Sequence, residues 1–334
     1  LRCELDNSGA RPLSSIFIGG GTPSLFSANA IERLLSGIQS LVPWQAGIEI
    51  TLEANPGTFE QAKFSAYREL GINRLSIGIQ SFNDVHLSHL GRIHSSSEAQ
   101  RAVGIAQQAG FDNINLDLMH GLPEQSVAQA MADLNLAMAL QPSHISWYQL
   151  TIEPNTVFWR QPPKLPEEDN LWDIQQAGQD ALAAQGYNPY EVSAYAKAGK
   201  QSQHNLNYWR FGDYLGIGAG AHGKISHADG QILRYWKTRQ PTDYLHKQTP
   251  AGKHLLSNAE LPFEFLINAL RLNQGVTSQL FTQRTGLPLA QLHHGWNMAI
   301  DKGLMQDHPE RLLTTQQGAL FLNDLLQLFL SHSD

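Results

Sequence analysis

Short apolar runs typical of β-strands alternate, along the first half of the chain, with amphipathic stretches typical of helices. Successive strand runs begin at intervals of about 25 to 35 residues, with a helical stretch between each pair. Parallel strands need a crossover connection of this kind, whereas antiparallel strands can be joined by a tight turn. The pattern therefore predicts an α/β domain on a parallel sheet. The predicted strands are 15–18, 47–53, 74–79, 113–118 and 144–152, and the predicted helices lie near 29–41, 59–70, 98–109 and 127–140.

Polar or glycine residues stand where almost every predicted strand ends. A partial barrel gathers its functional residues at the carboxyl ends of its strands, whereas a doubly wound sheet binds ligands at a switch point. The ring of strand-end residues favours the barrel and predicts one shared pocket. Its members are Gly19 to Thr22, Glu53, Gln80 with Ser81, Asp117 and Gln149.

Serine or threonine followed three residues later by glutamate or glutamine predicts the starts of two helices. Thr58 with Gln61 and Ser95 with Glu98 both fit the reciprocal capping box, in which each residue satisfies a backbone N–H of the other. These caps agree with the predicted helix positions.

A shift in composition near residues 248–252 predicts a domain boundary. Residues 1–250 are expected to form the partial barrel, with an aromatic, glycine-rich segment at 187–223. Residues 251–334 are expected to form a small helical domain, in which 276–313 has the outline of a winged helix. Residues 255–334 carry four basic and seven acidic side chains, which argues against a DNA-reading surface.

Charge and cysteine content exclude several classes of function. The net charge of -7 argues against binding driven by the charge of nucleic acid or anionic lipid. One cysteine, Cys3, can form neither an internal disulfide nor a multi-cysteine metal site. With no apolar run long enough to cross a bilayer and no signal peptide, we expect a cytoplasmic protein without a membrane span.

Glu53 lies at the end of an otherwise apolar strand, where a lone buried carboxylate is costly and needs a cationic partner. The ammonium group of a ligand would serve. Gln80 and Asp117 stand at equivalent strand ends, with Arg92 between them, and add acceptors for hydroxyls and a cation for a carboxylate. This set suits a ligand that combines an amino acid with a ribose, although each residue alone is more often structural.

The glycine run at 19–21 leaves bare backbone groups exposed to a ligand. It matches neither the Walker motif nor the dinucleotide fingerprint, so it is not a phosphate loop of either kind. A tight turn without a ligand is the alternative.

A second cluster lies at 204–209, His-Asn-Leu-Asn-Tyr-Trp. His204 and Tyr208 are one helical turn apart, and an imidazole beside aromatic surface suits the iron and the macrocycle of a porphyrin. Aromatic packing in a core is the alternative. Further aromatic and histidine residues stand nearby in the sequence: Tyr187, Tyr190, Tyr195, Tyr214 and His222.

These motifs resemble the radical S-adenosylmethionine (SAM) family that contains oxygen-independent coproporphyrinogen III oxidase. The resemblance is strongest in five runs and covers nearly the whole chain. Two further runs, 147–156 and 204–209, are similar to the heme chaperone branch of that family, HemW. The five runs are 16–24, 53–57, 76–82, 90–92 and 115–123.

The resemblance implies a partial six-stranded barrel and a small helical domain, and it assigns roles to single residues. The backbone of Gly20, Gly21 and Thr22 is expected to meet the methionyl group of SAM. Glu53, Gln80, Arg92 and Asp117 are expected to complete the SAM pocket, with Asp117 at the ribose. His204 and Tyr208 are expected to bind heme.

One departure from the family pattern concerns its C-x3-C-x2-C loop, whose thiolates hold a 4Fe–4S cluster. The loop is absent here, and Cys3 does not match it. We therefore expect the first strand and the cluster loop to be missing from this chain, which supplies no metal ligand for the cluster.

The leading functional hypothesis is a heme chaperone that delivers heme to apo-hemoproteins, with SAM and the cluster modulating a possible homodimer. The alternative is an oxidase that converts propionate side chains of coproporphyrinogen III to vinyl groups. A SAM-responsive binding module without catalysis is a third hypothesis. None of the three requires nucleic acid or a membrane span.

Overall fold

The computed structural model describes residues 11–57, 62–246 and 250–330. Cys3 and the predicted Thr58–Gln61 cap lie outside these residues. The described chain forms two compact units. The larger unit contains Leu13–Gln39 and Trp44–Ser202, and the smaller contains 203–330 with Ser40–Pro43. The smaller unit thus begins at residue 203, whereas the sequence places its domain boundary near residue 250.

A seven-stranded sheet forms the larger unit, and its first five strands are parallel neighbours in chain order. All five correspond to predicted strands. Two short antiparallel strands extend the sheet beyond β5, in the order β5-β7-β6. The strands are β1 Leu13–Ile18, β2 Trp44–Ala54, β3 Arg74–Gln80, β4 Ile114–His120, β5 His144–Gln149, β6 Asn188–Glu191 and β7 Ala194–Ala196.

Helices connect the parallel strands, as the crossover argument requires. The capping box at Ser95 and Glu98 is confirmed, and a second one at Ser126 and Gln129 was not predicted. The helices of this unit are α1 Ala28–Gln39, α2 Phe64–Glu69, α3 Asp84–His89, α4 Ser96–Gln108, α5 Val127–Ala139, α6 Val157–Arg160 and α7 Glu168–Ala184.

The two faces of the sheet differ in chemistry because successive strand residues point to opposite faces. One face is apolar and packs on the helices; Leu52, Leu75 and Leu116, for example, belong to one buried cluster with side chains of α1, α4 and α5. The residues that alternate with these leucines along each strand point to the opposite face. Several of them are polar and also buried, among them Ser76 and Asn115. The sheet therefore carries a continuous row of buried polar side chains opposite its helices.

The smaller unit begins with a short helix and a three-stranded antiparallel sheet, in the order β10-β9-β8. It continues as helices, and a two-stranded pairing of β11 with β12 encloses α11 and α12 in the winged-helix outline expected from the sequence. The elements are α8 Gln203–Trp209, β8 His222–Ser226, β9 Ile232–Trp236, α9 Pro241–His246, β10 Gly252–Leu255, α10 Leu261–Ala269, β11 Val276–Thr277, α11 Ser278–Thr285, α12 His293–Asp301, β12 Arg311–Leu312, α13 Gln316–Leu320 and α14 Leu322–Gln327.

Within the described ranges, none of the helices combines the length and the apolar character needed to cross a bilayer.

Close packing of α7 on β5 predicts opposite effects for two glycine-to-alanine changes. A Cβ atom at Gly178 would lie 1.9 Å from the Trp147 indole, whereas one at Gly104, inside α4, would meet nothing within 4 Å. We expect Gly178→Ala to lower the free energy of unfolding by about 1–3 kcal/mol through overpacking. Gly104→Ala should raise it by about 0.5–1 kcal/mol, because alanine is the better helix former. Urea unfolding followed by circular dichroism measures both, and a shift of the same sign in the two variants would contradict this packing.

Candidate functional site

A cavity of about 320 Å³ lies at the carboxyl ends of the five parallel strands. Each strand, or the loop after it, contributes to its wall, so the predicted strand-end pocket is present. The lining residues are Gly21, Thr22, Pro23, Glu53, Ala54, Asn55, Ser76, Gly78, Gln80, Arg92, Asp117 and Tyr148.

The glycine loop after β1 is shaped around Glu53. Gly20 and Gly21 have φ angles of 83° and 63°, in the left-handed region that favours glycine. A Cβ atom at Gly19 would lie 2.9 Å from the Glu53 carboxyl carbon, so only glycine permits this approach. The Gly20 N–H donates a hydrogen bond to Glu53 Oε2 at 2.9 Å. The loop thereby fixes the carboxyl group at the cavity wall.

Burial raises the pKa of Glu53, and the nearby carboxyl of Asp117 raises it further, while the hydrogen bond from Gly20 opposes both effects. The second carboxyl is affected in the same direction. Burial raises the pKa of Asp117, against hydrogen bonds from Asn115 and Ser76. A cation that enters the cavity would stabilise the ionised form of both carboxyl groups. The cavity therefore favours a positively charged ligand.

Gln80 reaches the cavity from a strained backbone position at the end of β3. Its φ angle is 72°, which is uncommon for a residue with a side chain, and the pairing of β3 with β4 is irregular at this point. The Tyr148 hydroxyl donates a hydrogen bond to Gln80 Oε1 at 2.8 Å. Because its carbonyl oxygen is engaged, the Gln80 amide presents its N–H groups to other partners.

Asp117 is held by donors from the polar face of the sheet. Ser76 Oγ donates to Asp117 Oδ2 at 3.0 Å, and Asn115 Nδ2 donates to Asp117 Oδ1 at 2.8 Å. These bonds fix the plane of the carboxylate while one side still borders the cavity. An oriented carboxylate of this kind can accept hydrogen bonds from ligand hydroxyls.

Half of the residues that line this wall were predicted from the sequence. Gly21, Thr22, Glu53, Gln80, Arg92 and Asp117 meet at the cavity, and Gly20 contributes through its N–H group. Gln149 does not: β5 directs Tyr148 into the cavity and leaves Gln149 exposed. The reason is the alternation of the strand, which places neighbouring residues on opposite faces.

Six wall residues were missed: Pro23, Ala54, Asn55, Ser76, Gly78 and Tyr148. Pro23 directly follows Thr22 in the sequence, and Ala54 and Asn55 directly follow Glu53. The period-two rule, applied backwards from Gln80 along β3, points to Gly78 and Ser76.

The second predicted cluster lies in the smaller unit, on α8. His204 and Tyr208 pack edge to face, with ring centroids 4.7 Å apart. Tyr208 also contacts Tyr214 at 4.5 Å, and burial together with Tyr214 raises its pKa to about 12. Both His204 and Tyr208 are half-buried. The helix therefore presents an imidazole beside an aromatic surface.

Three tyrosines near the motif in the sequence belong elsewhere. Tyr187, Tyr190 and Tyr195 are buried in the larger unit, because the β6–β7 hairpin pairs with β5. The segment 187–223 is therefore shared between the two units rather than forming one aromatic site. The cavity next to Tyr208 measures about 30 Å³ and cannot enclose a porphyrin.

In the part of the chain that the structure describes, no three His, Cys, Asp or Glu side chains are grouped to hold a metal ion. Cys3, the one cysteine of the sequence, lies outside that part.

Two family models match the chain. The radical SAM superfamily model matches residues 4–137, which include most of the parallel strands and the cavity wall. The HemN C-terminal domain model matches residues 256–321 in the smaller unit.

Several curated proteins are similar over almost the full chain. The heme chaperone HemW of Haemophilus influenzae is 51% identical over 326 residues, which cover 98% of this chain and 85% of that protein. The heme chaperone HemW of Escherichia coli is 49% identical, with 98% and 88% covered. The heme chaperone HemW of Bacillus subtilis is 33% identical, with 97% and 87% covered.

Among solved structures, coproporphyrinogen III oxidase (HemN) from Escherichia coli, described as a radical SAM enzyme, matches with a TM-score of 0.79. The match covers 96% of this chain and 78% of that one at 20% sequence identity. At this identity the match establishes the shared fold.

The raised pKa of Asp117 predicts a gain in stability on neutralisation. Because the folded protein holds this proton more tightly than the unfolded chain, ionisation of Asp117 lowers stability as pH rises above its ordinary value of 3.8. We expect the ligand-free Asp117→Asn variant to melt at a higher temperature than the unchanged protein. The difference should widen as pH rises above about 4.

Differential scanning calorimetry checks this expectation. Asp173→Asn, an exposed position on α7, serves as the control and should show no such pH-dependent gain. A difference in melting temperature between Asp117→Asn and the unchanged protein that does not rise with pH would contradict the electrostatic account of the cavity.

Proposed function

The chain belongs to the HemW family of radical SAM proteins, and on that basis we propose that it binds heme and delivers it to apo-hemoproteins. The observation that carries the proposal is the similarity to heme chaperones along almost the whole chain, through both units. The half-exposed imidazole and aromatic surface of α8 support it, because His204 offers an axial ligand for heme iron.

The strand-end cavity is proposed as the SAM site. SAM carries a sulfonium, an ammonium and a carboxylate, hence one net positive charge. The cavity wall carries two carboxyl groups, Glu53 and Asp117, and one guanidinium, Arg92. The net charges of SAM and of the cavity wall are therefore equal and opposite. A nearby cation also stabilises the ionised form of both carboxyl groups, whose pKa values burial raises. The residues present therefore fit the molecule that the family implies.

Each side chain has a distinct part in holding SAM. Glu53, fixed by the Gly20 N–H, accepts from the ammonium group. Arg92 pairs with the carboxylate, while Gly21 and Thr22 offer backbone groups to the methionyl part. Asp117, oriented by Ser76 and Asn115, accepts from ribose hydroxyls. Gln80, held by Tyr148, directs its amide N–H groups toward acceptors of the ligand.

When bound, the 4Fe–4S cluster of this family supplies an electron and an open iron site to which SAM attaches. The described residues include no cysteine and hold no part of that cluster. Their contribution is to bind and orient SAM.

On the smaller unit, heme is proposed to lie against α8, with His204 at the iron and Tyr208 against the macrocycle. The edge-to-face contact with Tyr208 holds the imidazole plane, which favours coordination in one orientation. Apo-hemoproteins are the proposed recipients, and a homodimer is the proposed assembly.

The SAM proposal predicts that Glu53→Gln weakens binding. Glutamine keeps an acceptor for the Gly20 N–H but removes the charge that meets the ammonium group. In the cluster-loaded protein we expect a loss of about 1.5–3 kcal/mol in the binding free energy of SAM, as for a charge-assisted hydrogen bond. Calorimetric titration measures it, with Glu69→Gln on the exposed side of α2 as a charge-matched control. Equal affinities for the two variants would remove Glu53 from the site.

The heme proposal predicts that His204→Ala changes the heme complex without affecting SAM. Loss of the imidazole should shift the Soret band and lower the affinity for heme, because the axial bond is lost. Heme titration followed by absorption spectroscopy measures both, with His294→Ala, exposed on α12, as the matched control.

An unchanged Soret band in a folded His204→Ala variant would refute the ligand role. A parallel assay with coproporphyrinogen III separates the chaperone from the oxidase: we expect heme transfer to an apo-hemoprotein and no formation of vinyl groups.

A further inference from the structure

Asp117 stands at one end of a chain of buried polar side chains that crosses the polar face of the sheet. The chain runs from Asp117 to Asn115 on β4, then to His144 on β5 and Tyr190 on β6. Asn115, His144 and Tyr190 are at most 4% exposed. None of the three borders the cavity. Packing alone is not a reason for polar groups here, because an apolar side chain fills such a place at less cost.

The orientation of Asn115 follows from its neighbours. Its amide nitrogen lies 2.8 Å from both Asp117 Oδ1 and Ser76 Oγ, and donates to both. The carbonyl oxygen therefore points to the opposite side, where Ser146 Oγ donates to it at 3.1 Å. His144 Nδ1 lies 2.5 Å from the same oxygen. Since a carbonyl oxygen only accepts, His144 Nδ1 must carry the proton.

The tautomer of His144 then fixes the next link. Burial, together with the Arg74 guanidinium, holds the pKa of His144 well below its usual range, so the ring is neutral. With the proton on Nδ1, Nε2 is an acceptor, and the Tyr190 hydroxyl, 2.9 Å away, donates to it. Every hydrogen bond from Tyr190 onward thus points its proton toward Asp117. Bonds aligned in this way polarise one another, and the alignment favours the ionised carboxylate.

We propose that Tyr190 and His144 are positioning residues of the ligand site, which hold Asp117 ionised and oriented through a one-way chain of hydrogen-bond donors. The inference deepens the proposed SAM site and rests on it. The antiparallel β6–β7 hairpin then has a role beyond extending the sheet, because it brings Tyr190 to His144. A protonated Asp117 would lose one acceptor for the ribose, so the hydrogen-bonded donors support binding from as far as β6, three strands away from β4 in the sheet.

Other ionisable groups also act on Asp117. Glu53 from β2 and Tyr148 from β5 interact with it across the cavity, Arg74 from β3 lowers its pKa, and Arg92 lines the same cavity. At the far end, Ser202 donates its N–H to the Tyr190 hydroxyl at 3.4 Å. Removing the Tyr190 hydroxyl alters none of these ionisable side chains, so a shift in the titration of Asp117 after this one change reports on the hydrogen-bonded donors.

The test compares Tyr190→Phe with Tyr187→Phe. Both tyrosines are buried near the same end of the sheet, and each change removes one hydroxyl group. Tyr187, however, donates to the Pro142 carbonyl oxygen at 2.7 Å and is not linked to Asp117. If the Tyr190 hydroxyl contributes only to stability, the two changes should have similar effects on the free energy of unfolding, and neither should shift the titration of Asp117.

The titration of Asp117 in the ligand-free protein is followed by carboxyl ¹³C resonances, assigned by the signal that Asp117→Asn removes. We expect the midpoint to rise in Tyr190→Phe and to stay unchanged in Tyr187→Phe. The affinity of the cluster-loaded protein for SAM at neutral pH should fall about threefold in Tyr190→Phe only, the effect of one modest hydrogen bond. An unmoved midpoint in Tyr190→Phe overturns the proposal.

The failure of the SAM site itself would look different. If Asp117→Asn binds SAM as tightly as the unchanged protein, Asp117 is not part of the ligand site, whatever the titration shows. If the titration midpoint of Asp117 nevertheless rises in Tyr190→Phe, the link to ligand binding is overturned. The aligned hydrogen bonds are then a feature of the fold alone.

Discussion

The alternation of side chains along the parallel strands is the constraint on which the rest of the structure depends. One face of the sheet is apolar because the crossover helices cover it, and burial of that face stabilises the larger unit. The other face is also buried, yet it carries Ser76, Asn115 and His144. Polar groups removed from water must pair with one another, and here they do so from strand to strand. The site is the point where this polar row reaches the cavity.

Placing carboxyl groups in such a cavity lowers the stability of the empty protein and favours a cationic ligand. The raised pKa values of Glu53 and Asp117 express that conflict, because burial disfavours the charge that the ligand requires. The protein limits the conflict with fixed donors, the Gly20 N–H for Glu53 and the Asn115 amide for Asp117. Donors that are already in place need no reorganisation when the ligand arrives, so orientation is set before binding.

Sequence patterns predicted the parallel strands and the cavity wall because both follow from local rules. Glu53 and Asp117 stand at strand ends, and parallel strands bring their carboxyl ends to one edge. The β6–β7 hairpin escaped prediction because its strands are only four and three residues long and contain a proline. Tyr148 was missed because Gln149, the more polar neighbour, drew the assignment, although the alternation of β5 gives the cavity to Tyr148. The aromatic segment 187–223 is split between the two units because the β6–β7 hairpin pairs with β5. Local sequence patterns do not encode which distant strands pair.

Hydrogen–deuterium exchange of the cluster-loaded protein, with SAM and heme added separately, tests most directly that two ligands use two sites. The account predicts that SAM protects backbone amides of the glycine loop at 19–22 and of the β2 and β3 strand ends, while heme protects α8. The smaller unit should remain unaffected by SAM, since every described residue that lines the cavity belongs to the larger unit. Protection of the same peptides by both ligands, or protection of α8 by SAM alone, would contradict it.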